Sequence, residues 1–120
     1  MPRLLLIALG GILGSSARYG VALAMGEHPV DAWPWATFLV NVVGALAIGI
    51  VAIQLVDQPA LRPFVITGIL GGFTTFSALA VEAGSMLDAG RPGWALAYVA
   101  ATVAAGLLAV RAGMAIGRQR

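Results

Sequence analysis

The residues of this chain with chemistry to offer are polar side chains set inside long apolar runs. Asn41 lies in a stretch without a charged residue from Ala32 to Val56, one helical turn after Thr37 and just before Gly44. An amide carries two N–H donors, enough to hold a small anion without a formal positive charge. The same amide can also make an interhelical hydrogen bond and bind nothing. Further on, Gly68-Ile69-Leu70-Gly71-Gly72-Phe73-Thr74-Thr75-Phe76-Ser77 packs glycines, hydroxyls and aromatic rings into ten residues. That is poor material for a continuous helix, and a break is expected near its middle. Backbone groups released by a break in lipid must be satisfied inside protein or at an ion, and exposed carbonyls there can hold a sodium ion. The alternative is a straight helix whose glycine face packs closely and whose threonine hydroxyls bond back to preceding carbonyls.

Four more positions stand out. Arg18 lies two-thirds of the way through an apolar run. Its guanidinium can line an anion-friendly cavity or hold a neighbouring helix, or its long side chain can snorkel to water. Glu82, six residues after Phe76, can influence an ion entrance, pair with a hydroxyl, or reach the interface. Tyr98 and Thr102, one turn apart, make a short polar stripe. Nothing in the chain suggests an enzyme. The one histidine, His28, falls in a turn without metal-ligand or nucleophile spacing around it. With no cysteine, thiolate sites and disulfides are excluded.

The elements that position these residues follow from composition. Apolar residues make up 60% of the 120-residue chain and charged residues 10%, against about 25% charged in soluble domains. So short a chain cannot hide that much apolar surface in a water-soluble core. A membrane helix needs about 20 mostly apolar residues, and four segments qualify: Leu4–Met25, Trp35–Val56, Phe64–Leu87 and Trp94–Ile116. The fold class is therefore an all-α membrane protein with four transmembrane helices in one domain. The turns between them, Gly26–Pro34, Asp57–Pro63 and Asp88–Gly93, each contain proline and hold most of the local charge. Trp33, Trp35 and Trp94 fall at span edges, where indole rings favour the headgroup zone. The first span superficially resembles a signal peptide, but its apolar run resumes past Arg18 to Met25, so it is read as a retained helix.

Connections this short make neighbouring helices antiparallel, with both termini and the Asp57–Pro63 turn on one side. Arg3, Arg62, Arg111, Arg118 and Arg120 lie at or near that side and Arg91 at the other. The positive-inside rule then puts both termini in the cytoplasm. The arginines are scattered and no basic run exists, which excludes a nucleic-acid-binding surface. The pairs Gly10/Gly14, Gly68/Gly72 and Gly113/Gly117, each four apart, allow helices to approach closely in lipid.

Taken together these segments resemble the fluoride channel family called Fluc or CrcB. The first span, Gly10-Gly11-Ile12-Leu13-Gly14-Ser15-Ser16-Ala17-Arg18-Tyr19, is similar to the family's Gly-Gly-x-x-Gly-x-x-x-Arg-Tyr opening. Asn41-Val42-Val43-Gly44 is similar to its Asn-x-x-Gly signature, and Gly71-Gly72-Phe73-Thr74-Thr75-Phe76-Ser77 matches its most specific segment, with Glu82 downstream. The resemblance spans the whole chain. It implies an antiparallel dimer of inverted subunits with two narrow pores in a bacterial plasma membrane, exporting fluoride passively. It also implies that Asn41 and the ring edge of Phe76 meet the anion, with Thr75 and Ser77 completing the lining. Arg18, Glu82, Tyr98 and Thr102 would be associated with the pore. A central sodium ion at the dimer interface would take the backbone carbonyls of Gly71 and Thr74.

Two features depart from the family's usual pattern. Leu79 stands where a second phenylalanine usually lies, offering bulk without a polarised ring edge. The arginine bias suits one fixed orientation, which allows a paralogue heterodimer instead of a homodimer, this chain being then a half-active or non-conducting subunit. A small multidrug exporter is a further four-span reading, but it needs an acid in the first span, where this chain has Arg18 and no acid.

Overall fold

The computed structural model describes residues 2–29 and 32–119. Val30 and Asp31 of the first expected turn, and Arg120 of the expected basic end, lie outside the described residues. Among the described residues there is no strand, and four helices are long and apolar enough to cross a membrane. These are α1 (Arg3–Met25), α2 (Trp35–Gln54), α3 (Pro63–Asp88) and α4 (Pro92–Gly117).

Proline and glycine punctuate the chain as their backbone chemistry requires. Pro63 and Pro92 open α3 and α4 at first-turn positions, where a missing N–H costs no helical hydrogen bond. Gly26 closes α1 at φ 74° and Gly90 turns the chain between α3 and α4 at φ 77°. Both angles lie in the left-handed region that favours glycine. The last turn of α2 leaves carbonyls without helical donors, and Arg62 Nη1 donates to one of them, Ala52 O, at 2.8 Å. A cation at a helix C-terminus also complements the helix dipole.

Packing divides the bundle into two tightly joined pairs. α2 lies along α4, and α1 lies along the first half of α3; the second half of α3 leans on α4. Among the described residues α1 and α4 do not meet. Each pair is joined where glycine meets glycine. A Cβ on Gly10 would stand 2.9 Å from the Cα of Gly68, and one on Gly68 would stand 2.9 Å from that of Gly10. The second pair repeats this with Gly49 and Gly113, where either Cβ would lie 3.0 Å from the other's Cα. Lipid supplies no hydrophobic drive between helices, so such backbone contact is what holds them. The glycine spacings seen in the sequence are used at these crossings.

α3 runs from Pro63 to Asp88 as one membrane-length helix bent by 17°. Its opening turns, Pro63–Leu70, are wound as a π-helix, followed by an α-helical Gly71–Phe73. Thr74 (φ −88°, ψ 158°) and Thr75 (φ −152°, ψ 117°) are extended, and α-helix resumes over Phe76–Asp88. The break expected near the middle of this helix is not confirmed: α3 stays one helix on almost one axis and loses its hydrogen-bond ladder only locally. Below this point Leu79, Ala83, Met86, Ala95 and Tyr98 form the apolar core, with Trp33, Phe38 and Val99 packed against it.

Gly113→Ala should destabilise the protein by about 1–3 kcal/mol, the usual cost of overpacking. Gly106→Ala, whose Cβ would meet open space, should be neutral. Thermal unfolding in detergent micelles measures both.

Candidate functional site

Two extended residues inside a membrane helix strand several backbone groups, and side chains from two other helices collect them. In a continuous α-helix Thr75 N–H would close on Gly71 O, and Ala78 N–H on Thr74 O. Here Thr75 N–H donates to Asn41 Oδ1 at 2.7 Å, while Asn41 Nδ2 donates to Thr75 O at 3.0 Å. The amide of α2 thus pairs with one residue of α3 as a neighbouring strand would. Ala78 N–H donates to Thr75 Oγ1 at 3.1 Å, which makes Thr75 the N-cap of the resumed helix. From the opposite side Arg18 Nε donates to Gly72 O at 3.0 Å. The long guanidinium arm of α1 turns inward to another helix.

Thr74 stays tied to the first half. Its N–H and its Oγ1 both donate to Leu70 O, at 3.1 and 3.0 Å. The redirected N–H groups of Thr75 and Ala78 leave the carbonyls of Gly71 and Thr74 without the donors a continuous helix would give them. Thr75 Oγ1 also lies 3.2 Å from Ser77 Oγ. Phe76, the first residue after the interruption, is 79% exposed on the single chain.

Two hollows flank this point and share Thr75. The inner one, about 240 Å³, is lined by Asn41, Thr74, Thr75, Phe76, Leu79 and Thr102, all uncharged. The outer one, about 260 Å³, is lined by Arg18, Tyr19, Thr37, Thr75 and Glu82 among apolar neighbours. Glu82 is held there by two hydroxyls. Thr37 Oγ1 donates to its Oε2 at 2.8 Å, and Tyr98 OH donates to its Oε1 at 2.9 Å. One carboxylate thereby joins α2, α3 and α4.

A family described as "CrcB-like protein, Camphor Resistance (CrcB)" matches residues 5–114. The chain belongs to this family. A CrcB relative from Rhizobium meliloti (strain 1021), named "Fluoride-specific ion channel FluC", is 43% identical over 122 residues, covering 98% of each chain. One of the same name from Paracoccus denitrificans (strain Pd 1222) is 45% identical over 114 residues, covering 93% of this chain and 91% of its own. Another, from Chloroflexus aurantiacus (strain ATCC 29366 / DSM 635 / J-10-fl), is 38% identical over 122 residues, 98% of this chain and 97% of its own. Like those CrcB proteins this chain is a multi-pass membrane protein.

Within the CrcB frame the expected site residues form two groups. Asn41, Thr74, Thr75, Phe76 and Ser77 surround the interruption, and Gly71 and Arg18 approach it from the first half of α3 and from α1. Glu82 and Tyr98 form the second group with Thr37, which sequence reading passed over as a site residue. Its position one turn before Asn41, on the same face, was the available signal. The expected polar stripe divides: Tyr98 reaches Glu82, whereas the Thr102 hydroxyl donates to Tyr98 O of its own helix at 2.8 Å. Leu79 is 5% exposed and belongs to the core, while also touching the inner hollow.

Asn41→Ala should cost about 1–3 kcal/mol for each Thr75 backbone group left unpartnered. Asn41→Asp keeps the acceptor but sets a carboxylate oxygen against Thr75 O, so it should destabilise at least as much as Asn41→Ala, as thermal unfolding in detergent micelles would show.

Proposed function

We propose that this chain is a subunit of a fluoride-selective channel that lets cytoplasmic fluoride leave the cell passively. The observation that carries this reading is the inner hollow. It lies midway along α3 and opens on the surface of the single chain beside Phe76, carries amide and hydroxyl groups and one aromatic ring, and has no charged side chain. The names of the curated relatives support the same ion. Fluoride is small and strongly hydrated, so a pore must replace its water with closely spaced donors that still let it go. Asn41 spends one N–H on Thr75 and keeps the other for an anion. The ring edge of Phe76 carries positive quadrupole character and offers a donor surface of fixed shape. Thr75 and Ser77 add hydroxyls. Leu79 adds bulk alone, so each subunit presents one ring edge in this segment.

The functional unit is a dimer of oppositely oriented subunits. The high exposure of Phe76 in one chain supports a second copy completing its surroundings. A small hard cation suits the carbonyls of Gly71 and Thr74, whose helical donors, the N–H groups of Thr75 and Ala78, are engaged elsewhere. Sodium bound there by both subunits would neutralise the crowded oxygens and fix the interface. The arginine distribution, with Arg3, Arg62, Arg111 and Arg118 towards one end of the bundle and Arg91 at the other, supports termini in the cytoplasm. An oppositely oriented paralogue is the alternative partner to a second copy of this chain. Conduction by the chain purified alone would remove that alternative.

Proteoliposomes loaded with fluoride or chloride provide the test. Fluoride efflux should far exceed chloride efflux, because the donors are spaced for the smaller ion. Asn41→Asp should abolish fluoride efflux by placing a carboxylate beside the anion, and Phe76→Ile should cut it strongly while assembly persists. Fluoride retained in wild-type vesicles, with and without a paralogue, would overturn the proposal.

A further inference from the structure

Glu82 shares the outer hollow with Arg18, so the placement of its carboxylate decides what charge an ion meets there. What places it is traceable outwards. Tyr98 supplies one of its two hydrogen bonds and is 0% exposed. A tyrosine hydroxyl lies at the far end of a rigid ring, so a modest tilt of the ring takes it out of bonding range. The ring of Tyr98 meets that of Trp33 edge to face, with centroids 5.3 Å apart and planes at 76°.

Trp33 itself lies in the connection before α2, beside the fully buried Pro34. Among the described residues it is the one ring in contact with four others. Besides Tyr98 these are Trp94 at 5.3 Å, Phe38 at 5.7 Å and Trp35 at 6.0 Å. Its buried indole N–H has no hydrogen-bond partner. The indole is therefore held through its ring faces and edges alone, at the cost of an unsatisfied donor. A tryptophan that only anchored the chain at the headgroup zone would instead keep its N–H towards water.

We propose that Trp33 is a positioning residue for the Glu82 carboxylate, acting through the ring of Tyr98. The inference rests on the fluoride-conducting reading for its effect on transport, though not for its structural content. With the Trp33 ring removed, Tyr98 tilts and its hydroxyl leaves Oε1. The carboxylate, retained by Thr37 alone, then swings within the outer hollow towards Thr75, which that hollow shares with the proposed pore lining. This sets a negative charge beside the anion's route.

The test uses the full-length protein in proteoliposomes. Trp33→Met fills much of the space without a ring and should slow fluoride efflux roughly two- to tenfold, the equivalent of one lost edge-to-face contact. Trp33→Phe keeps an aromatic edge and discards only the unpartnered N–H, so it should restore most of the rate. In a Tyr98→Phe background Trp33→Met should have no further effect, because the path from ring to carboxylate is already cut. Multiplying effects in that double variant, or Trp33→Phe as slow as Trp33→Met, would overturn the inference. A second readout needs no transport. The infrared carboxylate band that disappears in Glu82→Gln should shift in Trp33→Met and return in Trp33→Phe; an unmoved band would overturn it equally. Absent efflux from wild type would refute the functional reading, and the infrared result would still decide the role of Trp33.

Discussion

Hydrocarbon offers no hydrogen bonds, and this one constraint organises the centre of the protein. A membrane helix can abandon its own ladder at Thr74 and Thr75 only if other groups take over at once. Asn41 does so from α2 by pairing with both the N–H and the C=O of Thr75. Arg18 does so from α1 at Gly72 O, and the hydroxyl of Thr75 caps its own successor helix at Ala78. The functional groups of the site are thus recruited first as structural necessities. The hollow lined by uncharged donors exists because the backbone there is splinted from outside.

Much of this was legible in the sequence, for identifiable reasons. Spans in lipid read as long uncharged apolar runs, so their number and approximate limits follow from hydropathy. Glycines four apart predicted close crossings, and Gly10, Gly68 and Gly113 lie at them. The clustering of glycine and threonine from Gly68 to Thr75 marked a stretch unsuited to an ordinary helix. Pairings across the bundle were harder to read. Asn41 and Thr75 are separated by 34 positions, and Thr37 and Glu82 by 45. No local period encodes such distances. Glu82 had three open readings because any acid near a helix end can find water, a hydroxyl or an ion. Only the juxtaposition of α2, α3 and α4 chooses among them. Trp33 was misleading in a related way. Its place at a span edge suggests a headgroup anchor, yet its ring turns inward to Tyr98 and Trp94.

The two polar groups of the site differ in how they are held. Around Thr75 the bonds are short-range and mostly to main chain, so the geometry is rigid and depends on a few atoms. Around Glu82 the bonds are between side chains, and their direction depends on the packing of large rings and of Met86 and Leu79 beneath. A carboxylate with a hydroxyl on each oxygen is well satisfied at part depth. It is also the group most easily redirected, since each of its donors is a single rotatable side chain.

The glycine crossings carry a consequence for how this sequence can drift. Where Gly10 faces Gly68 and Gly49 faces Gly113, main chain presses on main chain, and no neighbouring side chain can shrink to admit a newcomer. A few residues away Leu107 and Leu108 point outwards with nothing above them in the single chain. Compensating pairs of substitutions, the usual route by which cores change, are closed at the first kind of position and unneeded at the second. Freedom to vary along this chain follows the distance to another main chain rather than depth in the bilayer.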